Sequence, residues 1–236
     1  MNNDKSLSIC LPALNEAENI EKYVCEIYEA AKELLTKFEI IIVDDGSTDN
    51  TYDIAVGLHK KLGNEIKVIK KEKNDGIGPA LETAAKIAQW QYFLGLPSDG
   101  AYLIDGVKKI FSRINDAPIL ISYRKNSNSR PFFRRMLSKC VTYYVRFLSG
   151  KKIQDAQSAI VVPTKLYRSV NINLVKYNCQ MQIAARVLKT NLPFIQIPVN
   201  YSINADKQSG MIKINVLVDV LKSSLHLFYL KMIGNL

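Results

Sequence analysis

Residues 38–50 read Phe-Glu-Ile-Ile-Ile-Val-Asp-Asp-Gly-Ser-Thr-Asp-Asn, an apolar run that stops at two adjacent carboxylates. The segment Phe38–Val43 is β-branched on both faces, which is typical of a buried strand in a parallel sheet. Asp44, Asp45 and Gly46 then end the strand, and residues 47–50 open a helix. The stretch therefore predicts one strand–turn–helix unit of an α/β fold.

Similar units recur along the first 122 residues. Strands are predicted at residues 7–11, 66–69, 92–96 and 119–122, and helices at residues 15–37, 47–61, from 76 onward and 103–114. Asn15, with Glu18 three residues later, matches a capping box, so we expect Asn15 to start the first helix. Strands that alternate with helices favour a doubly wound parallel sheet, which binds ligands beyond the carboxyl ends of its strands.

The strand–helix rhythm changes after Ser122. We expect a polar loop over Arg124–Arg130. The remaining predicted elements are helices at residues 131–148, 180–189 and 212–236 and strands at residues 160–162 and 194–199. The last helix gathers its polar residues on one stripe and is therefore amphipathic.

Charge is divided unevenly along the chain. Residues 1–120 carry 14 Lys and Arg against 19 Asp and Glu, whereas residues 121–236 carry 18 against three. The basic second half suits an anionic partner, either a phosphate-bearing lipid or nucleic acid.

The sequence also bears on the protein's cellular setting. The four cysteines include no CxxC pair, which predicts reduced thiols and a cytoplasmic location. The N-terminus lacks the apolar stretch of a signal peptide. Charged residues interrupt every long apolar window, so we expect no transmembrane helix.

Two carboxylate positions follow predicted strands. Asp44 and Asp45 can accept hydrogen bonds from ribose hydroxyls or a base N–H, although a turn that only caps the next helix would use the same residues. Asp99 stands in a Ser-Asp-Gly turn, where a carboxylate either holds a divalent cation or has a structural role. Gly76-Ile-Gly78 lacks the third glycine of a dinucleotide fingerprint. The residues alone leave the function of these positions open.

Two motifs together resemble a known family. Leu11-Pro-Ala-Leu-Asn-Glu16 and Val43-Asp-Asp-Gly-Ser-Thr-Asp49 are similar to the family-two inverting glycosyltransferases, most of all to the branch that acts on dolichol phosphate and other polyprenyl phosphates. Weaker similarity continues at residues 74–78, 99, 155–158, 180–181, 186 and 197–199. The resemblance spans nearly the whole chain. It implies the Rossmann-like α/β fold of nucleotide-diphospho-sugar transferases, with a mixed, mainly parallel sheet flanked by helices.

The resemblance also implies roles for single residues. Those implied to bind the nucleotide sugar are Pro12, Ala13, Asn15, Glu16, Asp44, Asp45, Asp75, Gly76 and Ser98. Asp99 is implied to be catalytic and to hold Mg²⁺ or Mn²⁺. Arg124 and Arg135 would act in catalysis, and together with Arg134 and Lys139 they would offset the repulsion between two anionic substrates.

The metal motif departs from the family pattern. The family usually has Asp-x-Asp and a further ligand two positions later, whereas residues 97–101 read Pro-Ser-Asp-Gly-Ala. One carboxylate and the later ligand are therefore missing. We expect the protein alone to bind Mg²⁺ or Mn²⁺ poorly and the cation to arrive mainly with the nucleotide.

Together these features predict an inverting glycosyltransferase that moves a sugar from a nucleotide diphosphate to a polyprenyl phosphate. Residues 1–122 would form the nucleotide-sugar-binding half and residues 123–211 the acceptor-side half of one domain, 1–211. Residues 212–236 would add an amphipathic helix, and the protein would lie peripherally at the inner face of a membrane.

Other classes of function explain less of the sequence. A non-catalytic nucleotide-sugar-binding protein with a decayed metal site fits the missing ligands, and a transferase with a saccharide acceptor remains an alternative. A nucleic-acid binder explains the basic half but not the paired Asp motif, and the aromatic residues form no stacking platform. We therefore expect no nucleic-acid partner.

Overall fold

One mixed sheet runs through the chain. The structure, a computed structural model, describes residues 4–126, 130–170, 179–202 and 214–233, without the side chains of residues 214–217 and 219. The strands are β1 (Ser6–Ala13), β2 (Lys37–Asp44), β3 (Ile66–Lys70), β4 (Tyr92–Gly95), β5 (Ile119–Arg124), β6 (Ile160–Pro163) and β7 (Phe194–Val199). They are ordered β3-β2-β1-β4-β6-β5-β7. Because β6 alone is antiparallel to its neighbours in this sheet, the predicted mixed, mainly parallel sheet is confirmed.

Helices cover both faces of the sheet. They are α1 (Ile20–Leu34), α2 (Thr51–Leu62), α3 (Ile77–Ile87), α4 (Ile104–Ser112), α5 (Phe132–Ser149), α6 (Thr164–Ser169), α7 (Cys179–Lys189) and α8 (Ile214–Met232). Helices α1, α2 and α4 pack into the core on one face, and α3, α5, α6, α7 and α8 pack into the core on the other.

Strand β2 shows why the apolar run folds as a central strand. Ile40 and Ile42 belong to the core on one face, whereas Ile41 and Val43 belong to the core on the other. Successive side chains of a strand point to opposite faces, so a continuous apolar run is buried only between two helical layers.

Strand register brings the candidate residues to one edge. Ala13 at the end of β1 pairs with Asp44 at the end of β2, and Cys10 of β1 pairs with Gly95 at the end of β4. The turns that follow these three parallel strands therefore lie side by side at the carboxyl edge of the sheet.

The predicted start of the first helix is wrong. Asn15 does not cap it; Asn15 has a φ of 55°, and its Oδ1 accepts a 2.9 Å hydrogen bond from the Thr48 amide. Helix α1 begins only at Ile20, and Lys37 belongs to β2. The capping-box pattern failed because the Asn15 side chain binds a turn that is distant in sequence.

Two later boundaries also differ from the predictions. Arg124, expected in a loop, ends β5, because its backbone pairs with Val199 of β7. Residues 127–129 of that loop lie outside the described residues, as do residues 212, 213 and 234–236 of the predicted last helix. The short helix α6 was not predicted.

The predicted division of the chain stays a prediction. The boundary between residues 122 and 123 falls within β5, so the two proposed halves share one sheet. The boundary at residues 211 and 212 lies outside the described residues.

Candidate active site

A cavity of about 340 Å³ opens beyond the carboxyl ends of β1, β2 and β4, and we call it the strand-end cavity. Seven of the predicted site residues line it: Pro12, Ala13, Glu16, Asp45, Gly76, Ser98 and Asp99. The Ser98 hydroxyl donates a 2.7 Å hydrogen bond to the Pro12 carbonyl, which fastens the turn after β4 to the end of β1. The structure thus brings most of the predicted nucleotide-binding residues together.

Among the carboxylates that line the strand-end cavity, Asp45 accepts the most hydrogen bonds. Its Oδ1 accepts hydrogen bonds from Lys71 Nζ at 2.6 Å and from the Asp75 amide at 3.2 Å. Its Oδ2 accepts a 2.7 Å hydrogen bond from the Gly76 amide. Because Asp45 is only 4% exposed, these charge-assisted bonds offset the cost of burying its charge. They also hold the segment from Lys71 to Gly76 against the cavity.

Gly46 permits this close approach. It has a φ of +80°, and a Cβ there would lie 2.9 Å from the Lys73 carbonyl carbon and 3.0 Å from the Asn74 nitrogen. Any residue with a side chain would therefore push the 71–76 segment away from Asp45.

Asp44 lies beneath the strand-end cavity rather than on its wall. It is fully buried, and its Oδ1 accepts a 3.2 Å hydrogen bond from the Ser47 amide. Its Oδ2 has no hydrogen-bond partner among the described residues. Asp44 is the last residue of β2, so its side chain points away from that of Asp45. Its predicted nucleotide contact stays a prediction.

Asn15 and Asp75 support the site from outside the strand-end cavity. Asn15 holds the turn at Thr48, as described above. Asp75 Oδ2 forms an ion pair with Lys71 Nζ at 3.2 Å, and the hydrogen bond between them is the main cause of the lowered pKa of Asp75. Their predicted nucleotide contacts stay predictions.

Glu16 and Asp99 give the strand-end cavity its negative charge. Burial raises the pKa of Glu16, and the charges of Asp99 and Asp49 raise it further. Loss of hydration also raises the pKa of Asp99, although part of this side chain remains exposed. The lining includes no lysine or arginine among the described residues. A bound diphosphate would therefore need a cation to offset the repulsion.

The residues near Asp99 fit only part of a metal site. Asp99 Oδ1 accepts a 2.9 Å hydrogen bond from the Ala101 amide, which leaves Oδ2 for a ligand. Within the described ranges, no group of three or more His, Cys, Asp and Glu side chains is placed to hold a metal. Asp99 can thus supply one oxygen to Mg²⁺ or Mn²⁺, and other oxygens would have to come from the nucleotide diphosphate.

A second cavity, of about 280 Å³, lies at the end of β5 and beside α5, and we call it the basic cavity. It is lined by five cations: Arg124, Arg130, Arg135, Lys139 and Arg146. Asp155 is the one acidic residue in the described part of its lining. The two arginines predicted to be catalytic are therefore brought together here, apart from the seven residues of the strand-end cavity.

Sequence reasoning missed Tyr102 and Tyr201, which also line the strand-end cavity. The Arg124 guanidinium lies 3.7 Å from the centroid of the Tyr201 ring, so Tyr201 adjoins both cavities. A usable signal existed: Tyr201 follows the predicted strand 194–199, and residues after a parallel strand face the ligand crevice.

The order of the strands and the cavity beyond their carboxyl ends are those of the nucleotide-diphospho-sugar transferase fold. The model of the family described as glycosyl transferase family 2 matches residues 8–175. The chain belongs to this family.

Curated relatives cover most of the chain. Dolichol-phosphate mannosyltransferase from Pyrococcus furiosus is 26% identical over 214 residues, which are 87% of this chain and 59% of that protein. Human dolichyl-phosphate beta-glucosyltransferase is 25% identical over 221 residues, or 84% of this chain and 68% of that protein. The chain spans 51–66% of the length of three such relatives.

Solved structures support the fold. Mannosyl-3-phosphoglycerate synthase from Rubrobacter xylanophilus matches 98% of this chain and 76% of its own, with a TM-score of 0.71 and 15% identity. Glucosyl-3-phosphoglycerate synthase from Mycobacterium tuberculosis, in complex with Mn²⁺, UDP-glucose and phosphoglyceric acid, matches 93% of this chain and 79% of its own, with a TM-score of 0.63 and 16% identity.

Replacing Asp45 with Asn should weaken nucleotide binding. The change removes the carboxylate that holds Lys71 and the Gly76 amide, and a charge-assisted hydrogen bond contributes about 1.5–3 kcal/mol. Calorimetry with nucleotide diphosphates measures the loss, and Asp53→Asn on the exposed face of α2 is the control. Unchanged affinity in a folded Asp45→Asn protein would remove Asp45 from the binding site.

Replacing Asp99 with Asn should stabilise the fold and at the same time weaken metal binding. Because the folded state raises the pKa of Asp99, its charge destabilises the fold at neutral pH, and this effect fades as pH falls towards the ordinary Asp value of about 3.9. The variant should therefore have a higher Tm than the parent at pH 7 and a smaller advantage near pH 4.

Titration of Mn²⁺ completes this test. We expect weak binding to the ligand-free parent and stronger binding with nucleotide diphosphate, reduced about tenfold or more in Asp99→Asn. Tight Mn²⁺ binding by the ligand-free parent would place the metal site elsewhere.

Proposed function

We propose that the protein transfers a sugar, with inversion, from a nucleotide diphosphate sugar to the phosphate of a polyprenyl phosphate. The nucleotide sugar would occupy the strand-end cavity, and the acceptor phosphate would occupy the basic cavity. The observation that carries the proposal is that these cavities, of opposite charge, meet at Tyr201. Names of curated relatives, which include dolichol-phosphate and dolichyl-phosphate transferases, support this acceptor class.

The chemistry requires no general base. An acceptor phosphate oxygen is already an anion near neutral pH, so it can attack the anomeric carbon directly. The new carbon–oxygen bond forms as the bond to the nucleotide diphosphate breaks, and the diphosphate leaves with the bonding electrons. A divalent cation at Asp99 would offset the charge on that leaving group.

The protein's own part is to position two anions and stabilise their charge. Arg124 and Arg135 in the basic cavity would lower the repulsion between the acceptor phosphate and the donor diphosphate. Asp45, with the 71–76 segment, would hold the nucleoside end of the donor.

An apolar surface beside the basic cavity fits a membrane-embedded acceptor. Helices α5 and α8 expose large apolar side chains that we call the apolar surface: Phe132, Phe133, Met136, Tyr143, Phe147, Leu221, Leu225, Phe228, Tyr229 and Met232. Tyr143 belongs both to this surface and to the lining of the basic cavity. Residues 121–154 add nine Lys and Arg and no Asp or Glu. Exposed apolar groups among basic ones suit an anionic lipid surface.

Helix α8 is oriented with much of its apolar side outward. Ser223, on its polar stripe, is fully buried, and its Oγ accepts a 3.4 Å hydrogen bond from Gln182 Nε2 of α7. Leu225 is 71% exposed and Met232 is 72% exposed. A helix that buries serine and exposes leucine is expected where the outer medium is itself apolar. In the described part of the chain, no helix has the length and apolar character needed to cross a bilayer.

Incubation with labelled nucleotide sugar and a polyprenyl phosphate should place label in the organic phase. Arg135→Ala should lower this transfer by about tenfold to hundredfold, the effect of a lost charged hydrogen bond. The control is Arg113→Ala at the exposed end of α4, where an ion pair with Asp116 contributes little.

Other outcomes would overturn parts of the proposal. Label found only on a soluble phosphorylated acid or saccharide would make the lipid acceptor wrong, while the transferase activity stands. Nucleotide-sugar binding without turnover on any acceptor would identify a non-catalytic binding protein instead.

Vesicle flotation tests the membrane contact. Binding should rise with the fraction of anionic lipid and fall with salt, because salt screens the basic residues. Leu221→Ser/Leu225→Ser should weaken binding about tenfold or more, since each buried leucine contributes about 1.5–3 kcal/mol. Leu103→Ser, before α4 in the layer across the sheet, is the control. Equal flotation of the double variant and the parent would exclude α8 from the contact.

A further inference from the structure

Tyr201 contacts residues of both the strand-end cavity and the basic cavity. Its ring packs against Tyr102 on the wall of the strand-end cavity, with ring centroids 4.3 Å apart. The Arg124 guanidinium lies 3.7 Å from the centroid of the Tyr201 ring and forms part of the basic cavity. The Tyr201 ring therefore contacts residues that line each of the two cavities.

The backbone of Tyr201 is fixed by a nearby side chain. Asn126 Nδ2 donates a 2.8 Å hydrogen bond to the Tyr201 carbonyl, and the Tyr201 amide donates a 3.0 Å bond to Asn126 Oδ1. Tyr201 also forms an isolated antiparallel bridge with Tyr102. Its main chain is thus held on two sides, directly after β7.

The hydroxyl of Tyr201 is fixed as well. It donates to the Tyr102 hydroxyl and lies 2.9 Å from Ser158 Oγ. Ser158 in turn donates a 2.7 Å hydrogen bond to Asp155 Oδ2, and Asp155 lines the basic cavity. Tyr201 is 8% exposed and Ser158 is 1% exposed, so this network is shielded from water and holds the ring in one orientation.

We infer that Tyr201 is a positioning residue whose ring holds the Arg124 guanidinium at the boundary between the two cavities. This inference rests on the proposed function. An arginine side chain has many rotamers, and stacking on a fixed aromatic face restricts them without covering the edge of the guanidinium plane, where its N–H groups lie. Arg124 would thus be arranged for the acceptor phosphate at the point where that phosphate approaches the donor sugar.

Three variants separate the ring from its hydroxyl. Tyr201→Leu removes the stack, Tyr201→Phe keeps the ring but loses its hydrogen bonds, and Tyr52→Leu removes a matched ring that lies 4.4 Å from Lys70 Nζ on the surface of α2. With farnesyl phosphate as acceptor, Tyr201→Leu should raise the acceptor KM about tenfold, whereas Tyr201→Phe and Tyr52→Leu should change it far less.

The donor KM distinguishes positioning from general damage. Leucine keeps the cavity wall apolar, so the donor KM of Tyr201→Leu should stay close to that of the parent. Equal increases in both KM values would indicate a structural role only and would overturn the inference.

A double-mutant cycle tests whether Tyr201 acts through Arg124. Arg124→Gln alone should raise the acceptor KM, and the addition of Tyr201→Leu should cause no further increase, because the stacked partner is already absent. Increases that multiply would show that Tyr201 acts independently, which would make the inference wrong.

Measuring the direct binding of farnesyl phosphate distinguishes failure of the positioning role from failure of the proposed function. If the parent binds it and Tyr201→Leu binds it equally well, the positioning role is wrong and the proposed function stands. If the parent neither binds farnesyl phosphate nor transfers sugar to it, the proposed acceptor fails and the inference fails with it.

Discussion

Burying the charge of a carboxylate is costly unless the charge is paired, and the pairing of Asp45 organises the strand-end cavity. Lys71 and the amides of Asp75 and Gly76 provide this pairing, and all three lie on the segment that follows β3. The negative charge at the end of one strand therefore determines where the segment after the neighbouring strand lies. Asn74 and Gly76 reach the cavity wall as a result. The same interaction explains the glycine at position 46, because a side chain there would collide with the segment that Asp45 binds.

Much of the fold could be predicted because its signals are local. The apolar run of β2 and the alternation of strands and helices depend on neighbouring residues, and the structure confirms them. The failure at Asn15 has the opposite cause. Its side chain has two possible partners, the first turn of a helix or a distant amide, and only the register of β1 with β2 brings Thr48 within reach.

The candidate site was predictable to a similar extent. Pro12 lies near the end of β1, Asp45 and Asp99 come after the ends of β2 and β4, and parallel strands deliver such residues to one edge. Asp44 lies beneath the strand-end cavity because adjacent residues of a strand face opposite ways, and its predicted nucleotide contact stays a prediction. Tyr201 and Arg124 could not be paired from the sequence, since their contact depends on β7 lying beside β5, a pairing of strands far apart in the chain.

The strand-end cavity and the basic cavity carry opposite charge, and this difference suits them to different ligands. An acidic cavity without basic lining among the described residues favours a donor that brings its own cation, and it disfavours a bare phosphate. A basic cavity favours the bare phosphate. In the proposed reaction, electrostatics would direct each substrate to its own cavity before any specific contact forms. The two anions of the proposed reaction would meet at the Tyr201 ring, where the Arg124 guanidinium lies over the ring and would lower their repulsion.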